Sequence, residues 1–432
     1  MTNSESPALI GFNTYKENKY ESKTIQLTSP MLHIGSEVSQ LSPFEYIQVG
    51  SKIYLPHQEA LAKAFQKQGG RFLQDYIAAI EKQESIGRLL EVALGEEWQN
   101  ELTGFSDVRP LWTQDDGQKI TNLRPMIRNG MGQLYIPGSS IKGAIRTAIA
   151  YHLLKHADRY QVPLSHRISE IELQLREKLN SGELANRHKQ KFLDDKLFMD
   201  NLFSNYSLTY QNRSFNPESL QNTDILRAVK ISDSEPLHRE KDINKKGKPV
   251  WFNLPVVAEV IVSSHFEDWR AKYKAPIYAE VAWNLRTEFT ITLDQEMLSW
   301  FSHRQKMQIP FHTIDELLNI CQEFAQHQWE EEVKYWQNIE NNRNQRKMLN
   351  FDLVWENFYA KPDCPYTLRL GWGSGMMGTT INCLLPDKMK TQLRDVCGIA
   401  APNFEAPKSR RTIVNSQGEI RYVPGWVKFK AL

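Results

Sequence analysis

The order of strand-like and helix-like segments predicts an α+β fold for this chain of 432 residues. Segments rich in β-branched and aromatic residues come in separated pairs, and charged helical stretches lie between them. A doubly wound α/β chain would instead place a helix after each strand. Strand–helix–strand units with long inserts favour a ferredoxin-like core, as in RNA-recognition motifs, elaborated by helical insertions.

The first 132 residues are predicted from periodicity and turn signals. A hairpin turn is expected at Gly50-Ser51 and a helix break at Gly69-Gly70. The predicted elements are a strand over Lys23–Gly35, a hairpin over Ser42–Leu55, helix over Gln58–Leu94 and a long surface loop or irregular hairpin over 95–132.

The remainder of the chain alternates between charged helical segments and apolar strands. The predicted elements are helix over Lys155–Phe203, a strand over Asp224–Ser232, a mobile loop over Arg239–Lys248, strands over Asn253–Ser263 and Ile277–Leu293, helix over Asp294–Tyr359 and a short strand over Tyr366–Leu370.

The stretch Tyr135–Leu154 predicts a strand end, a tight turn and then a helix that begins near Gly138. Ser139 or Ser140 is expected to cap this helix through its hydroxyl. Lys142 and Arg146, four residues apart, share one face. A helix N-terminus with free amides, hydroxyls and cations suits an anion such as phosphate. The alternative is an ordinary core helix with two solvated cations.

The surroundings of this helix favour the anion site. Residues 117–157 contain no Asp or Glu, yet they include Arg124 and Arg128 as well as Lys142 and Arg146. Acids and bases nearly balance over the whole chain, with a net charge of +2. Such local segregation of basic residues indicates a nucleic-acid backbone as the partner.

Residues 371–378, GWGSGMMG, form a second candidate site, in which we select Gly371, Trp372, Gly373, Ser374 and Gly375. The spacing fits neither a Walker loop nor a dinucleotide-binding fingerprint. Glycines would let the backbone approach a bulky ligand and leave amides free for phosphates. A turn that only requires positive φ is the alternative.

Basic residues recur in PKSRR (407–411), where Lys408, Arg410 and Arg411 are candidate RNA contacts. So short a run is also typical of a solvated loop. Further basic residues follow closely in the sequence, namely Arg421, Lys428 and Lys430. They favour the interpretation of this run as an RNA-binding segment.

Catalytic signals are weak. His33, at the end of the first predicted strand, is a weak candidate for a general base on a 2′-hydroxyl, with a hydrogen-bonded strand-end histidine as the alternative. Asp115 and Asp116 are interpreted as turn formers before Gly117. Metal-binding and nucleophile motifs lack a supporting context, so we expect no metal, no cofactor and no catalysis.

The sequence also indicates the cellular compartment in which the protein is expected. The N-terminal sequence lacks the pattern of a secretion signal, and no apolar run approaches the ~20 residues of a membrane helix. We therefore expect a cytoplasmic protein with no membrane partner. The four cysteines contain no CxxC pair and are expected to be reduced structural thiols.

Five segments together resemble the RAMP superfamily of CRISPR-associated proteins, and most of all the family of fifth Csm subunits of type III-A effector complexes. The segments, in chain order, are HIGSEVSQLSPFEYI (33–47), YIPGSSIKGAIRTAI (135–149), AVKISDSEPL (228–237), RLGWGSGMMGTTI (369–381) and PKSRRTIV (407–414). The resemblance runs through nearly the whole chain.

This resemblance implies a non-catalytic RNA-binding subunit of a ribonucleoprotein that provides antiviral defence. The subunit would cap the backbone filament at the 3′ end of the CRISPR RNA (crRNA) and help define crRNA maturation. Its partners would be the crRNA, a neighbouring Csm backbone subunit and the small subunit, with target RNA contacted indirectly. Residues 138–142 with Arg146, and 371–378, correspond to RNA-contacting elements of the family.

The resemblance also implies a palm interrupted by inserts. The expected division is 1–57 first part of the palm, 58–134 helical insert and long loop, 135–154 palm helix, 155–223 helical insert, 224–293 palm strands, 294–365 helical insert, and 366–432 glycine-rich loop and C-terminal part of the palm.

Two other functions remain open from the sequence. One is a metal-independent endoribonuclease of the same superfamily that processes crRNA with His33 as base. The other is an assembly platform whose inserts, 155–205 and 294–360, recruit host nucleases.

Overall fold

The computed structural model describes most of the chain. The described residues are 19–95, 98–115, 117, 119–185, 197, 199–211, 213–215, 220–244, 246–264, 272–273, 276–342, 349–396, 401 and 404–432. Asp116 and Cys397, the latter one of the four cysteines, lie outside them.

A mixed sheet of thirteen strands forms the centre of the fold. Its longest strand, β13 (Ile277–Asp294), pairs antiparallel with β1 (Tyr20–Leu32) on one side and with β11 (Leu254–Ser264) on the other. The other ten strands of this sheet are β2 (Ile47–Val49), β3 (Lys52–Pro56), β4 (Ser106–Trp112), β5 (Leu123–Arg124), β8 (Val229–Ile231), β12 (Lys272–Tyr273), β15 (Leu368–Arg369), β16 (Arg410–Val414), β17 (Ile420–Tyr422) and β18 (Trp426–Ala431). The main path through the sheet runs β15-β18-β1-β13-β11-β4-β3-β2.

Two smaller sheets lie outside it. One pairs β9 (Glu240–Ile243) with β10 (Pro249–Phe252). The other joins β6 (Tyr206–Tyr210) to β7 (Arg213–Phe215) and β14 (Phe301–His303).

Helices lie between the strand pairs, as the α+β prediction requires. The α-helices are α1 (Gln58–Gln68), α2 (Gly70–Glu81), α3 (Gly87–Leu94), α4 (Trp98–Gly104), α5 (Gly138–Lys155), α6 (Ile168–Asn180), α7 (Asp200–Phe203), α8 (Gln295–Trp300), α9 (Ile314–Asn338), α10 (Asp352–Val354), α11 (Gly375–Thr379) and α12 (Asp387–Val396). Short 3-10 helices span Leu164–His166, Glu183–Ala185, Leu220–Thr223, Ile225–Ala228 and Asn382–Leu384, and one π-helical turn spans Trp355–Tyr359.

Helices α5 and α9 pack against each other and, with the sheet, enclose the largest core. In α5, Ile141, Ile145 and Ile149 recur at helical spacing and are fully buried, as predicted. Helix α9 begins with a capping box between Thr313 and Glu316, which satisfies two orphan backbone donors. The two helices therefore hold one face of the sheet in a fixed position.

Three predictions of local structure were wrong. The expected surface loop over 95–132 contains α4 and the sheet strand β4, because Val108, Leu111 and Trp112 pack against core residues. The expected mobile loop over Arg239–Lys248 contributes β9, which pairs with β10 to form a hairpin. The predicted strand over Asp224–Ser232 begins as a 3-10 turn, with Asp224 accepting from the Leu226 amide.

Candidate nucleic-acid interface

The structure brings three of the predicted segments together at Trp372. The Arg124 guanidinium lies over the Trp372 ring at 5.1 Å from its centroid, and the Arg411 guanidinium lies at 4.9 Å. Arg124 belongs to β5 and Arg411 to β16, so the three side chains come from distant parts of the chain. We call this group the arginine–tryptophan cluster. Cation–π contacts hold its two guanidiniums in place.

The arginine–tryptophan cluster carries positive charge without a matching acid in the described part of the chain. Within the described residues, neither Arg124 nor Arg411 has a carboxylate at ion-pair distance, and the buried Nε of each lacks a hydrogen-bond partner. Burial, and then the charges of Arg124 and Arg369, lower the pKa of Arg411. Buried donors normally have a partner. An anion that accepts hydrogen bonds would satisfy both arginines and offset their repulsion.

The glycine-rich segment holds Trp372 against the end of β1. Gly371 has φ +81°, and a Cβ there would lie 2.4 Å from the His33 carbonyl oxygen. The Trp372 amide donates to that same oxygen at 2.9 Å. The Ser374 hydroxyl closes the turn by donating to the Gly371 carbonyl at 2.7 Å. Positive φ is also found at Gly373 and Gly375. The turn therefore needs glycine at 371 for both its backbone angle and close approach.

We expect Gly371→Ala to destabilise the protein by about 1–3 kcal/mol, the cost of a strained backbone conformation, and to weaken RNA binding by displacing Trp372. Urea unfolding and RNA titration measure the two effects. Gly375→Ala is the matched control, because Gly375 also has positive φ, +64°, but has open space around its Cβ position. Equal losses in both variants would contradict the importance of the close approach.

Glu280 organises the backbone that follows β5, the strand of Arg124. Its carboxylate, only 1% exposed, accepts from Arg128 at 2.7 and 2.9 Å, from Arg109 at 3.0 Å and from the Met126 amide at 3.1 Å. Burial alone would raise the pKa of Glu280, but Arg128 and Arg109 outweigh it and hold this pKa below its usual value. Arg128, predicted to contact RNA, thus has a structural partner within the fold.

The N-terminus of α5 differs from the predicted anion site. Pro137 is the N-cap and no side chain caps the helix, so the expected cap by Ser139 or Ser140 was wrong. The Gly138 amide donates to Asp233 at 2.8 Å, and a Cβ at Gly138 would lie 2.4 Å from the Ile231 carbonyl oxygen. A carboxylate from a distant turn therefore occupies the position expected for a phosphate.

The two cations of α5 also have partners within the protein. Lys142 donates to the Val229 carbonyl at 2.8 Å, and burial lowers its pKa. Arg146 pairs with Asp224 and lies over the Phe203 ring at 4.1 Å. Their contribution to RNA binding stays a prediction.

The basic run 407–411 separates into different roles. Arg410 is buried; its Nε donates to Glu332 at 2.8 Å, and its guanidinium lies over Tyr335. Arg411, its neighbour on β16, joins the arginine–tryptophan cluster. Lys408 lies over the Phe404 ring at 4.9 Å. Alternation along the strand sends adjacent arginines to opposite faces.

His33 lies beside the cluster but is only 1% exposed. Its Nδ1 donates to the Glu280 carbonyl at 2.7 Å, and its ring contacts the edge of Trp372. Burial, opposed by the Glu280 contacts and assisted by Arg124, lowers the pKa of His33. These contacts match the interpretation as a hydrogen-bonded strand-end histidine.

The structure also shows the surroundings of Asp115 and of three cysteines. The Asp115 carboxylate accepts from the Gly117 amide at 3.1 Å, which confirms the turn-forming role. Cys321, Cys364 and Cys383 are free thiols, as expected.

Among the described residues, His152, His156 and Glu323 are placed closely enough to hold a metal ion. No helix in the described ranges has the length and apolarity needed to cross a membrane.

Sequence reasoning missed Glu280 and Arg109, which form a buried ion pair close to the strand that carries Arg124. One signal was present: an acid within the strand-forming run IYAEVAWNL (277–285) must be buried and therefore paired. A second missed signal was the spacing of His152 and His156 in HLLKH, whose supporting Glu323 lies far along the chain.

Comparison with known proteins identifies the class. A family model described as the RAMP superfamily matches residues 24–350, and the chain belongs to this superfamily. A chain of the Csm–crRNA–target RNA ternary complex from a type III-A CRISPR-Cas system is similar in fold, with TM-score 0.57 and 22% identity over 95% of this chain and 100% of that chain. Csm5 of T. onnurineus is also similar, with TM-score 0.54 and 21% identity over 94% and 100%. No curated protein matches.

Proposed function

We propose that this protein is a non-catalytic RNA-binding subunit of a type III-A CRISPR effector complex, of the fifth-Csm-subunit kind. The arginine–tryptophan cluster carries the proposal, because two guanidiniums without acidic partners among the described residues meet on one aromatic ring. Guanidinium groups bind phosphate oxygens through paired N–H donors. The cluster would thus contact the crRNA backbone and contribute affinity with little sequence preference.

Similarity to solved structures supports the choice of complex. One similar chain comes from an assembly that contains crRNA and target RNA, and the other is a Csm5 protein. Both similar chains are covered over their full length. In this role the protein would work in the cytoplasm.

The position that we propose for the subunit in the complex is supported by the resemblance in sequence. The subunit would cap the backbone filament at the 3′ end of the crRNA and help define its mature end. Its neighbours would be a Csm backbone subunit and the small subunit, with target RNA contacted through the assembled complex. Recruitment of host nucleases by the helical inserts is a further prediction.

Purification of the tagged chain from its host is expected to recover related RAMP subunits together with crRNA of defined 3′ length. Mass spectrometry identifies the proteins, and sequencing maps the RNA ends. In a strain that lacks this chain, the crRNA should have longer or heterogeneous 3′ ends. Recovery of the protein without crRNA would contradict the proposal, whereas unaltered 3′ ends would contradict only the role in maturation.

The alternative, a metal-independent endoribonuclease that processes crRNA with His33 as base, predicts RNA cleavage in EDTA. Because His33 is buried and donates to a backbone carbonyl, we expect no cleavage of repeat RNA by the purified protein. Gel analysis of labelled RNA measures this. Cleavage that disappears in His33→Ala but persists in His238→Ala, which alters an exposed histidine, would overturn the non-catalytic assignment.

A further inference from the structure

Two histidines and a glutamate converge at the C-terminal end of α5, away from the residues assigned above. His152 lies in the last turn of α5, and His156 follows four residues later as the C-cap residue of this helix. The carboxylate of Glu323, on the facing helix α9, is within hydrogen-bond distance of both histidines. His152 Nδ1 contacts Glu323 Oε2, and His156 Nε2 lies 2.8 Å from Glu323 Oε1. The potential ligand atoms all lie within 4.8 Å of one another.

We propose that His152, His156 and Glu323 form a binding site for a divalent transition-metal ion, with Zn²⁺ as the best fit, that links α5 to α9. Two imidazole nitrogens and one carboxylate oxygen are a donor set that Zn²⁺ accepts in tetrahedral geometry. Bonds of about 2.0–2.2 Å would separate the ligand atoms by roughly 3.4 Å. The 2.8 Å contact between His156 and Glu323 therefore needs to widen by about half an ångström, and the shorter contact between His152 and Glu323 needs to widen by more.

Tyr160 provides the outer hydrogen bond that a metal-bound histidine usually makes through its second ring nitrogen. Its hydroxyl lies 2.8 Å from His152 Nε2, the nitrogen that faces away from Glu323. When Nε2–H donates to Tyr160, the lone pair of Nδ1 is directed toward Glu323 and the ion. Such an outer hydrogen bond orients the imidazole and raises its affinity for metal.

Lys155 competes with the metal for the carboxylate. Its ammonium lies 2.9 Å from Glu323 Oε1, and its side chain is 39% exposed. A long, partly exposed side chain can move into solvent when an ion binds. Side chains of His156 and Glu323 are also partly exposed, at 34% and 27%, so an ion has access from solvent. The fourth coordination position would be taken by water.

Such an ion would act as a structural link. Helices α5 and α9 enclose the main core, and near this site they are joined by the hydrogen bonds to Glu323 and by ring contacts of Tyr151 with Phe324 and His327. An ion that binds only the folded chain stabilises it by mass action.

The test uses the full chain after treatment with chelator, titrated with ZnCl₂ by calorimetry and with Co²⁺ by visible absorption. Stoichiometric binding is expected, together with a Zn²⁺-dependent rise in Tm. His156→Ala and Glu323→Gln should each weaken binding at least tenfold, and Tyr160→Phe by about 10–100-fold. His238→Ala, which removes an exposed histidine elsewhere, should bind as the original protein does.

Lys155→Met keeps the proposal testable even when a ligand variant fails to fold. Loss of the competing ammonium should strengthen Zn²⁺ binding without removing a ligand. The proposal is overturned when the original protein binds no Zn²⁺, or when His156→Ala and Glu323→Gln bind it unchanged. Weaker binding by Lys155→Met would equally contradict it.

Discussion

Replacing both Arg124 and Arg411 by alanine is expected to weaken crRNA binding by at least about 100-fold. The reason is that hydrogen bonds to charged groups contribute about 1.5–3 kcal/mol each, and the double variant removes two such phosphate contacts. For a single-stranded RNA, the slope of log affinity against log salt should become shallower by about 1.4. Fluorescence anisotropy over a range of salt concentrations measures both quantities.

The same variant should keep or increase its thermal stability. Arg124 and Arg411 repel each other, and in the described residues no acid compensates them, so their removal relieves an unfavourable interaction. Arg71→Ala with Arg176→Ala is the control, since it removes two well-exposed charges from helical inserts. An identical change of salt slope in the control would show that only net charge matters, and this would contradict the assignment of the cluster.

Glu280→Ala is expected to reduce the free energy of unfolding by about 3–5 kcal/mol, the cost of leaving buried charges unpaired. Arg109 and Arg128 would lose their shared carboxylate, and the Met126 amide would lose its acceptor. Urea unfolding at neutral pH measures the loss. Glu59→Ala, which breaks an exposed pair with Lys63, should change stability little. A loss for Glu280→Ala as small as that of the control would contradict the proposed central role of Glu280.

The pH dependence of stability follows from the same carboxylate. The pKa of Glu280 is lower in the folded protein than the ordinary 4.5, so its contribution is fully present above pH 4.5. That contribution should be lost as the pH falls below 4.5 through the folded pKa. In Glu280→Gln the acid-dependent decline should be smaller than in the original protein, as urea unfolding between neutral and acidic pH would measure. If the loss of stability at acidic pH were the same in Glu280→Gln as in the original protein, other carboxylates would be responsible for the acid sensitivity.

Patterns within short segments predicted much of the local structure. Alternation in Lys23–Gly35 and the apolar run Ile277–Leu293 correspond to β1 and β13, the two longest strands. Helical spacing of isoleucines predicted the buried face of α5. Residues 95–132 were misjudged because turn formers hid a strand whose partners, β3 and β11, lie elsewhere in the sequence.

The candidate site was predicted in its parts but not in its assembly. Arg124, Trp372 and Arg411 were each selected from local composition, and the fold joins them. Arg128, Arg146 and Arg410 were selected on the same grounds, yet each pairs with an acid: Glu280, Asp224 and Glu332, respectively. Residues 117–157 contain no acid, yet their arginines pair with acidic residues from other segments of the chain.

The sequence by itself determined the α+β class, the superfamily and the amphipathic core helix, because these depend on residue order over short spans and on recognisable motifs. Only the tertiary structure decided which basic residues have acidic partners and which face one another. The physical reason is that Coulomb interactions act through space over a few ångströms. Residues such as Arg128 and Glu280, 152 positions apart, therefore neutralise each other only after the chain has folded.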